Sequence, residues 1–117
     1  MLNLPSQPRI YLCATPVDLR KSFDGLSGIV ESVFERNILD GHLFLFLNKR
    51  GDRLKALWWD RDGLIIWYKR LESGCFEMPA VAGGQKHVTL DATELAMLLG
   101  GVSLGSAKRR KRFSLAS

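Results

Sequence analysis

The centre of the chain alternates between apolar runs and very short turns, and this pattern constrains the fold most. The runs are residues 43–49, 53–59 and 64–70, and "RGD" at 50–52 and "DRDG" at 60–63 separate them. β-Branched and aromatic residues concentrate in the runs, whereas Gly and Asp concentrate between them, as in strands joined by tight hairpin turns. The sequence therefore predicts an antiparallel β-meander, to which "SGCFEMP" at 73–79 adds a short fourth strand.

A long helix is predicted before this meander. After a predicted strand at residues 10–13, Thr15 and Asp18 have the spacing of a capping box and Pro16 suits a first helical turn, so we expect the helix to begin there. Gly25 and Gly28 lower its helix propensity, so either the helix approaches the sheet closely there or it bends, and we expect the close approach. Its apolar stripe is predicted to contain Leu19, Phe23, Leu26, Val30 and Val33.

A shorter helix is predicted near the C-terminus. Residues 87–90 read as extended backbone, Asp91 and Glu94 repeat the capping-box spacing, and Gly100 with Gly101 ends the apolar run. The sequence thus predicts one α+β domain over residues 1–102, with an antiparallel β-meander of four or five strands, one long amphipathic helix packed on it and a short C-terminal helix. Residues 103–117 are predicted to form a basic, disordered tail.

The basic residues fall into two groups. The formal net charge is +5, yet twelve basic and twelve acidic side chains remain once the five adjacent cations of "KRRKRF" at 108–113 are set aside. Such a run attracts phosphates by releasing counterions but reads no base sequence, and a solubilising tail is its alternative interpretation. The second group lies in the meander, where cations alternate with tryptophan and tyrosine side chains that can pack in a core, stack on bases or anchor a partner.

Candidate catalytic and metal-binding residues are few. Asp60 and Asp62 flank a turn, and the turn preference of Asp explains both, so a small nuclease built on these carboxylates is the disfavoured alternative. His42 and His87 have no carboxylate or cysteine at ligand spacing. No nucleophile motif or phosphate-binding loop occurs. We therefore expect no catalytic residue, no metal and no cofactor.

The spacing of the cysteines and the length of the apolar runs indicate the cellular compartment. Cys13 and Cys75 lie far apart without a partner motif, which is typical of a reducing cytoplasm. The apolar runs are shorter than a membrane span, and the N-terminus lacks the pattern of a signal peptide. The sequence predicts a cytoplasmic protein without a membrane partner.

Three segments together resemble a known family: "TPVDLRKSFDGL" at 15–26, "LFLFLNKRGDRLKALWWDRDGLIIWYKRLESGCFEMP" at 43–79 and "VTLDATELAMLLGGV" at 88–102. Their order and spacing are similar to those of the TnpB-type accessory protein encoded by the second open reading frame of insertion sequences of the sixty-six family. The resemblance implies a role in transposition beside a separate, larger transposase that performs the strand chemistry. It does not extend to the RNA-guided nuclease that shares the name TnpB.

These observations predict a non-enzymatic accessory factor of bacterial transposition, with DNA and the transposase of the same element as partners. The alternative is a protein-interaction module that recruits or stabilises the transposase without binding DNA, and the exposed edges of the predicted sheet leave a homo-oligomer open. We expect the cations to lie on a solvent-facing side of the sheet, with the helix on the reverse. Trp59 and Tyr68 are the candidate partner-binding residues. The candidate nucleic-acid-binding residues are Arg20, Lys21, Lys49, Arg50, Arg53, Lys55, Lys69, Arg70, Lys108, Arg109, Arg110, Lys111 and Arg112.

Overall fold

A computed structural model describes residues 8–100 of the chain and has an α+β fold. Its elements are β1 (Ile10–Cys13), α1 (Phe23–Ser32), β2 (Leu43–Leu47), β3 (Arg53–Asp60), β4 (Gly63–Arg70), β5 (His87–Leu90) and α2 (Ala92–Gly100), with a 3-10 turn at Ile38–Asp40 before β2. Within this range, neither helix has the length that a bilayer crossing requires. The predicted tail at 103–117 lies outside the described residues.

The five strands form one mixed sheet in the order β4-β3-β2-β1-β5. The hairpins β2–β3 and β3–β4 confirm the predicted meander. The expectation of a wholly antiparallel sheet was wrong, because β1 pairs with β2 in parallel, with Ile10 opposite Leu43. A parallel pair needs a long crossover connection, and residues 14–42, which contain α1, supply it. At the other edge, β5 pairs with β1 antiparallel.

Helix α1 is shorter than predicted, since it begins at Phe23 and spans 10 residues. The capping box predicted for Thr15 and Asp18 does not start a helix. Asp18 Oδ1 instead accepts a hydrogen bond from the Arg20 backbone N–H at 3.0 Å. The Val17 N–H donates to the Leu47 carbonyl at 2.8 Å, which fixes this segment beside the end of β2. Residues 14–22 therefore form a connector that is held by local and sheet contacts.

One face of the sheet is covered by α1. Leu26 and Val30 of the predicted stripe are buried, but Phe23 is 44% exposed and is not a core residue. The predicted close approach of the glycines to the sheet was also wrong, because a Cβ atom added at Gly28 would contact nothing within 4 Å and the atoms nearest to one added at Gly25 belong to the Lys21 side chain. The buried residues of this layer are Tyr11, Cys13, Val17, Leu19, Leu26, Val30, Phe34, Phe44, Phe46 and Leu57.

The opposite face of the sheet is covered by α2 and by the segment after β4. The second capping box is confirmed, since the Asp91 N–H donates to Glu94 Oε1 and the Glu94 N–H donates to Asp91 Oδ1. Residues 73–79 do not form the predicted strand. The Phe76 N–H donates to the Gly51 carbonyl at 2.7 Å, so this segment packs against the β2–β3 turn. The buried residues of this layer are Leu12, Leu45, Leu47, Leu54, Ala56, Phe76, Leu90 and Leu98.

Two substitutions on α1 test which residues belong to the core. Leu26→Ala removes a fully buried side chain, and we expect the free energy of unfolding to fall by about 2–5 kcal/mol. Phe23→Ala is the matched control on the same helix, and we expect it to cost less than about 1 kcal/mol. Urea unfolding of the full-length chain measures both. Equal losses would contradict the burial of the two residues described above.

Candidate nucleic-acid interface

The connector after β1, the β2–β3 turn and the α1 side of β4 enclose a groove of about 640 Å³. We call it the basic groove, because it contains four of the predicted nucleic-acid-binding cations, which come from distant parts of the sequence. Its lining residues are Pro16, Val17, Asp18, Leu19, Arg20, Asn48, Lys49, Arg50, Arg53 and Tyr68. The fold therefore joins the "DLRK" and "NKRGDR" motifs, which the sequence shows only as separate segments.

The β2–β3 turn is held by its own side chains. Asn48 Nδ2 donates to Asp52 Oδ1 at 2.7 Å, and the Arg53 N–H donates to Asn48 Oδ1 at 3.0 Å. Gly51 has φ +75°, a left-handed conformation that glycine adopts without strain. The hydrogen bond from Asn48 holds the pKa of Asp52 below its usual value. This turn leaves the side chains of Lys49 and Arg50 exposed at the groove.

Arg53 and Tyr68 form the floor of the groove on neighbouring strands. An Arg53 guanidinium nitrogen donates to the Tyr68 hydroxyl at 3.3 Å. Tyr68 is 48% exposed, so part of its ring faces the groove. A guanidinium beside an exposed aromatic ring offers a phosphate contact and a stacking surface at adjacent positions.

Lys55 is buried, contrary to the expectation of a solvent-facing cation, and it is 8% exposed. Its Nζ donates to the Lys21 carbonyl at 2.8 Å and lies 4.9 Å from the centre of the Tyr68 ring. The same connector is crowded against α1, since a Cβ atom at Gly25 would lie 3.1 Å from Lys21 Cβ. Lys55 and Lys21 thus tie the connector to the sheet through backbone and ring contacts.

One cation of the groove already has an acidic partner. Arg20 pairs with Asp18 through three side-chain hydrogen bonds, the shortest at 2.7 Å. These bonds, together with the Arg20 backbone N–H, lower the pKa of Asp18 to about 2, and the carboxylate raises the pKa of Arg20. Arg20 therefore contributes less net positive charge to the groove than its neighbours do.

The remaining predicted cations among the described residues do not line the groove. Arg70 pairs with Glu72 at 2.8 Å, which raises the pKa of Arg70. Lys69 lies opposite Leu54 and so faces the α2 side of the sheet. The expectation that the cations occupy the face opposite the helix was wrong, because Arg53 and Tyr68 lie on the α1 side of the sheet with Leu57. Lys108–Arg112 lie outside the described residues.

Aromatic side chains are divided between the two faces. Trp59 is half-buried opposite Leu64 on the α1 side, away from the lining of the basic groove.

A second groove, of about 350 Å³, lies on the α2 side of the sheet and was not predicted. The feature of the sequence that indicates it is the small Ala56, which lies opposite Trp67 and leaves space beside it. We call it the apolar groove, and it is lined by Pro8, Gly41, Leu43, Leu45, Ala56, Trp58, Trp67, Leu95 and Leu99.

Asp60, Asp62 and His42 lie at a turn or at a strand end. The Asp62 N–H donates to the Asp60 carbonyl at 2.5 Å in the β3–β4 turn. His42 Nδ1 accepts a hydrogen bond from the Arg9 N–H, and burial lowers the pKa of His42. Among residues 8–100, no group of three or more His, Cys, Asp or Glu side chains is arranged to hold a metal ion.

The chain is similar to known proteins over most of its length. No solved structure matches it. Two proteins of Sinorhizobium fredii (strain NGR234) are similar over 102 residues: the uncharacterized protein y4jC is 36% identical, covering 87% of this chain and 86% of its own, and the uncharacterized protein y4hO is 33% identical, covering 87% of each. Residues 8–109 match the family described as "IS66 Orf2 like protein". The chain that carries the basic groove therefore belongs to the IS66 Orf2-like family and is associated with transposition.

Proposed function

We propose that this protein is a non-enzymatic accessory factor of transposition that contacts DNA through the basic groove. Membership in the IS66 Orf2-like family supports the role in transposition. The observation that carries the DNA contact is the meeting of Lys49, Arg50 and Arg53 beside the half-exposed Tyr68 ring. The three cations attract the phosphate backbone, and the ring offers a stacking surface. The transposase of the same element is the proposed second partner.

The hydrogen bonds that position parts of the groove support this proposal. Arg53 is held by Asn48 and Tyr68, and the connector is held by Lys55. Groups that are already positioned lose less conformational entropy when they bind a ligand. Lys21 and Lys55 act as positioning residues here, whereas Lys49, Arg50 and Arg53 make the contacts. The tail cations Lys108–Arg112 add attraction without base recognition.

The apolar groove favours the second candidate function, a protein-interaction module. Trp58 and Trp67 line it together with aliphatic side chains, and aromatic residues are frequent anchors of protein interfaces. Under this alternative the chain binds the transposase and has no DNA affinity of its own. A DNA-binding assay at low salt separates the two candidates, because only the first predicts binding.

Removing one cation from the groove tests the DNA contact. For Arg53→Gln we expect weaker DNA binding and a slope of log K against log salt that is smaller by about 0.9, since one phosphate contact is lost. Lys86→Gln is the matched control, because Lys86 is an exposed cation just before β5, at the opposite edge of the sheet. Fluorescence anisotropy with labelled DNA across a salt series gives both slopes. Equal losses in the two variants would mean that the groove has no special role.

Removing the acid from the groove should have the opposite effect. Asp18→Asn keeps an oxygen for the Arg20 backbone N–H but deletes the charge that neutralises the Arg20 guanidinium. We expect DNA affinity at low salt to rise about threefold. Because the pKa of Asp18 is about 2, the carboxylate is ionised throughout the pH range of such assays. Unchanged or weaker binding by this variant would contradict DNA contact through the basic groove.

Cutting the chain after Gly105 separates the groove from the tail. We expect the shortened chain to bind DNA more weakly, with a slope reduced by up to about 4.5, because five cations are removed. Residual binding that Arg53→Gln weakens further assigns the remainder to the groove. If the shortened chain does not bind at all, the described domain is an interaction module and only the tail attracts DNA.

A further inference from the structure

We propose that a second copy of this chain docks along the outer edge of β4, so that the two sheets join antiparallel around Ile66. This edge is open within residues 8–100, because β4 pairs only with β3. The pairing runs without a bulge from Arg53 opposite Arg70 to Asp60 opposite Gly63. Exposed sheet edges are usually protected by shortness, proline or bulges. The other edge strand, β5, has only four residues, whereas β4 has eight, no proline and no bulge, and its charges are confined to Lys69 and Arg70 at its end.

The side chains of β4 are unusually apolar for an exposed edge. Residues 63–68 carry no charge. Of the five large hydrophobic side chains that are exposed among the described residues, three lie on this strand: Ile65 at 36%, Trp67 at 40% and Tyr68 at 48%. A concentration of this kind is typical of a surface that is covered by a partner.

The charges at the two ends of β4 select a second copy and its direction. Asp62 lies in the turn just before the strand, and Lys69 and Arg70 lie at its other end, where Arg70 also pairs with Glu72 of its own chain. An antiparallel neighbour places the acidic end of each copy beside the basic end of the other. A parallel neighbour would set Lys69 and Arg70 against their own equivalents. The strand is therefore complementary to itself in the antiparallel direction, which is the requirement of a two-fold interface.

The register follows from the alternation of side chains. If a two-fold axis perpendicular to the sheet relates the two copies, both α1 helices lie on the same side of the joined sheet. Such an axis passes between one residue of β4 and the same residue of the other copy, which therefore lie opposite each other. Centred on Ile66, it sets Ile65 opposite Trp67 and Leu64 opposite Tyr68, and it brings Asp62, in the turn before β4, near Arg70 of the other copy.

The neighbouring registers are electrostatically worse. An axis at Ile65 would bring Arg61, in the turn before β4, near Lys69 of the other copy, and an axis at Trp67 would bring Asp62 near Glu72, just beyond β4. Like charges that lie directly opposite each other destabilise a strand pair. The register at Ile66 is the one of these three that avoids both pairs.

This arrangement would place two basic grooves on the same side of one continuous sheet, since Tyr68 of each copy lies on the α1 side. Two linked grooves would bind DNA more tightly than one, and this gain rests on the proposed function. The dimer itself does not, because its contacts lie along β4 and need no DNA.

The mass of the full-length chain in solution, without DNA, tests the proposal. At about 50 µM, sedimentation velocity should give twice the 13.2 kDa of one chain. Ile65→Lys puts a charge on the apolar edge and should weaken dimerisation at least about tenfold. Thr89→Lys is the matched control, because it places the same residue on the exposed face of the opposite edge strand; it should leave the mass unchanged. A monomeric parent chain, or equal behaviour of the two variants, would overturn the proposal.

A charge exchange tests the register and does not depend on the tolerance of Ile65 to substitution. Asp62→Arg and Arg70→Asp should each weaken dimerisation about fivefold, because each change affects two symmetry-related pairs. The double variant restores the opposite charges and should recover most of the parent affinity. Circular dichroism confirms that every variant is folded. Losses that simply add in the double variant would exclude the register at Ile66.

Discussion

The basic groove depends on the burial of one lysine. Lys55 lies on an interior strand and is only 8% exposed, and the Lys21 carbonyl accepts a hydrogen bond from its Nζ. Burying a charge is costly unless it is hydrogen-bonded or paired. The contact with the Tyr68 ring adds a favourable cation–π interaction. Through these contacts a single side chain fixes the connector, the sheet and the exposed aromatic ring relative to one another.

Local patterns in the sequence determined how much of the fold could be predicted. The meander and the cap of α2 were predictable, because hairpin turns and the reciprocal bonds of Asp91 and Glu94 involve residues close in sequence. The start of α1 was not predictable, because Asp18 can either cap a helix or bind Arg20, and in the structure it binds Arg20. The parallel pairing of β1 with β2 depends on contacts across about thirty residues, and no local signal specifies it.

The candidate site was predictable in composition but not in arrangement. Lys49, Arg50 and Arg53 could be chosen because they surround a turn, and turns are exposed. Strand alternation could also assign Tyr68 and Lys55 to one face. The sequence could not indicate that the connector would fold over this face and bury Lys55 beneath it. The apolar groove was not predicted for a similar reason, since its walls come from β2, β3 and β4 and from α2, which is distant from them in sequence.

The position of β1 has a consequence for how the chain is made. Ile10 lies opposite Leu43 on one side and opposite Leu90 on the other, so, within residues 8–100, the strand that is synthesised first pairs with the strand that is synthesised last. Until residues 87–90 leave the ribosome, β1 keeps one open side. Contacts between such distant residues slow folding, and unpaired strands promote association during that interval. The nascent chain therefore passes through a stage in which almost the whole sheet is present but its N-terminal strand is still open to other chains.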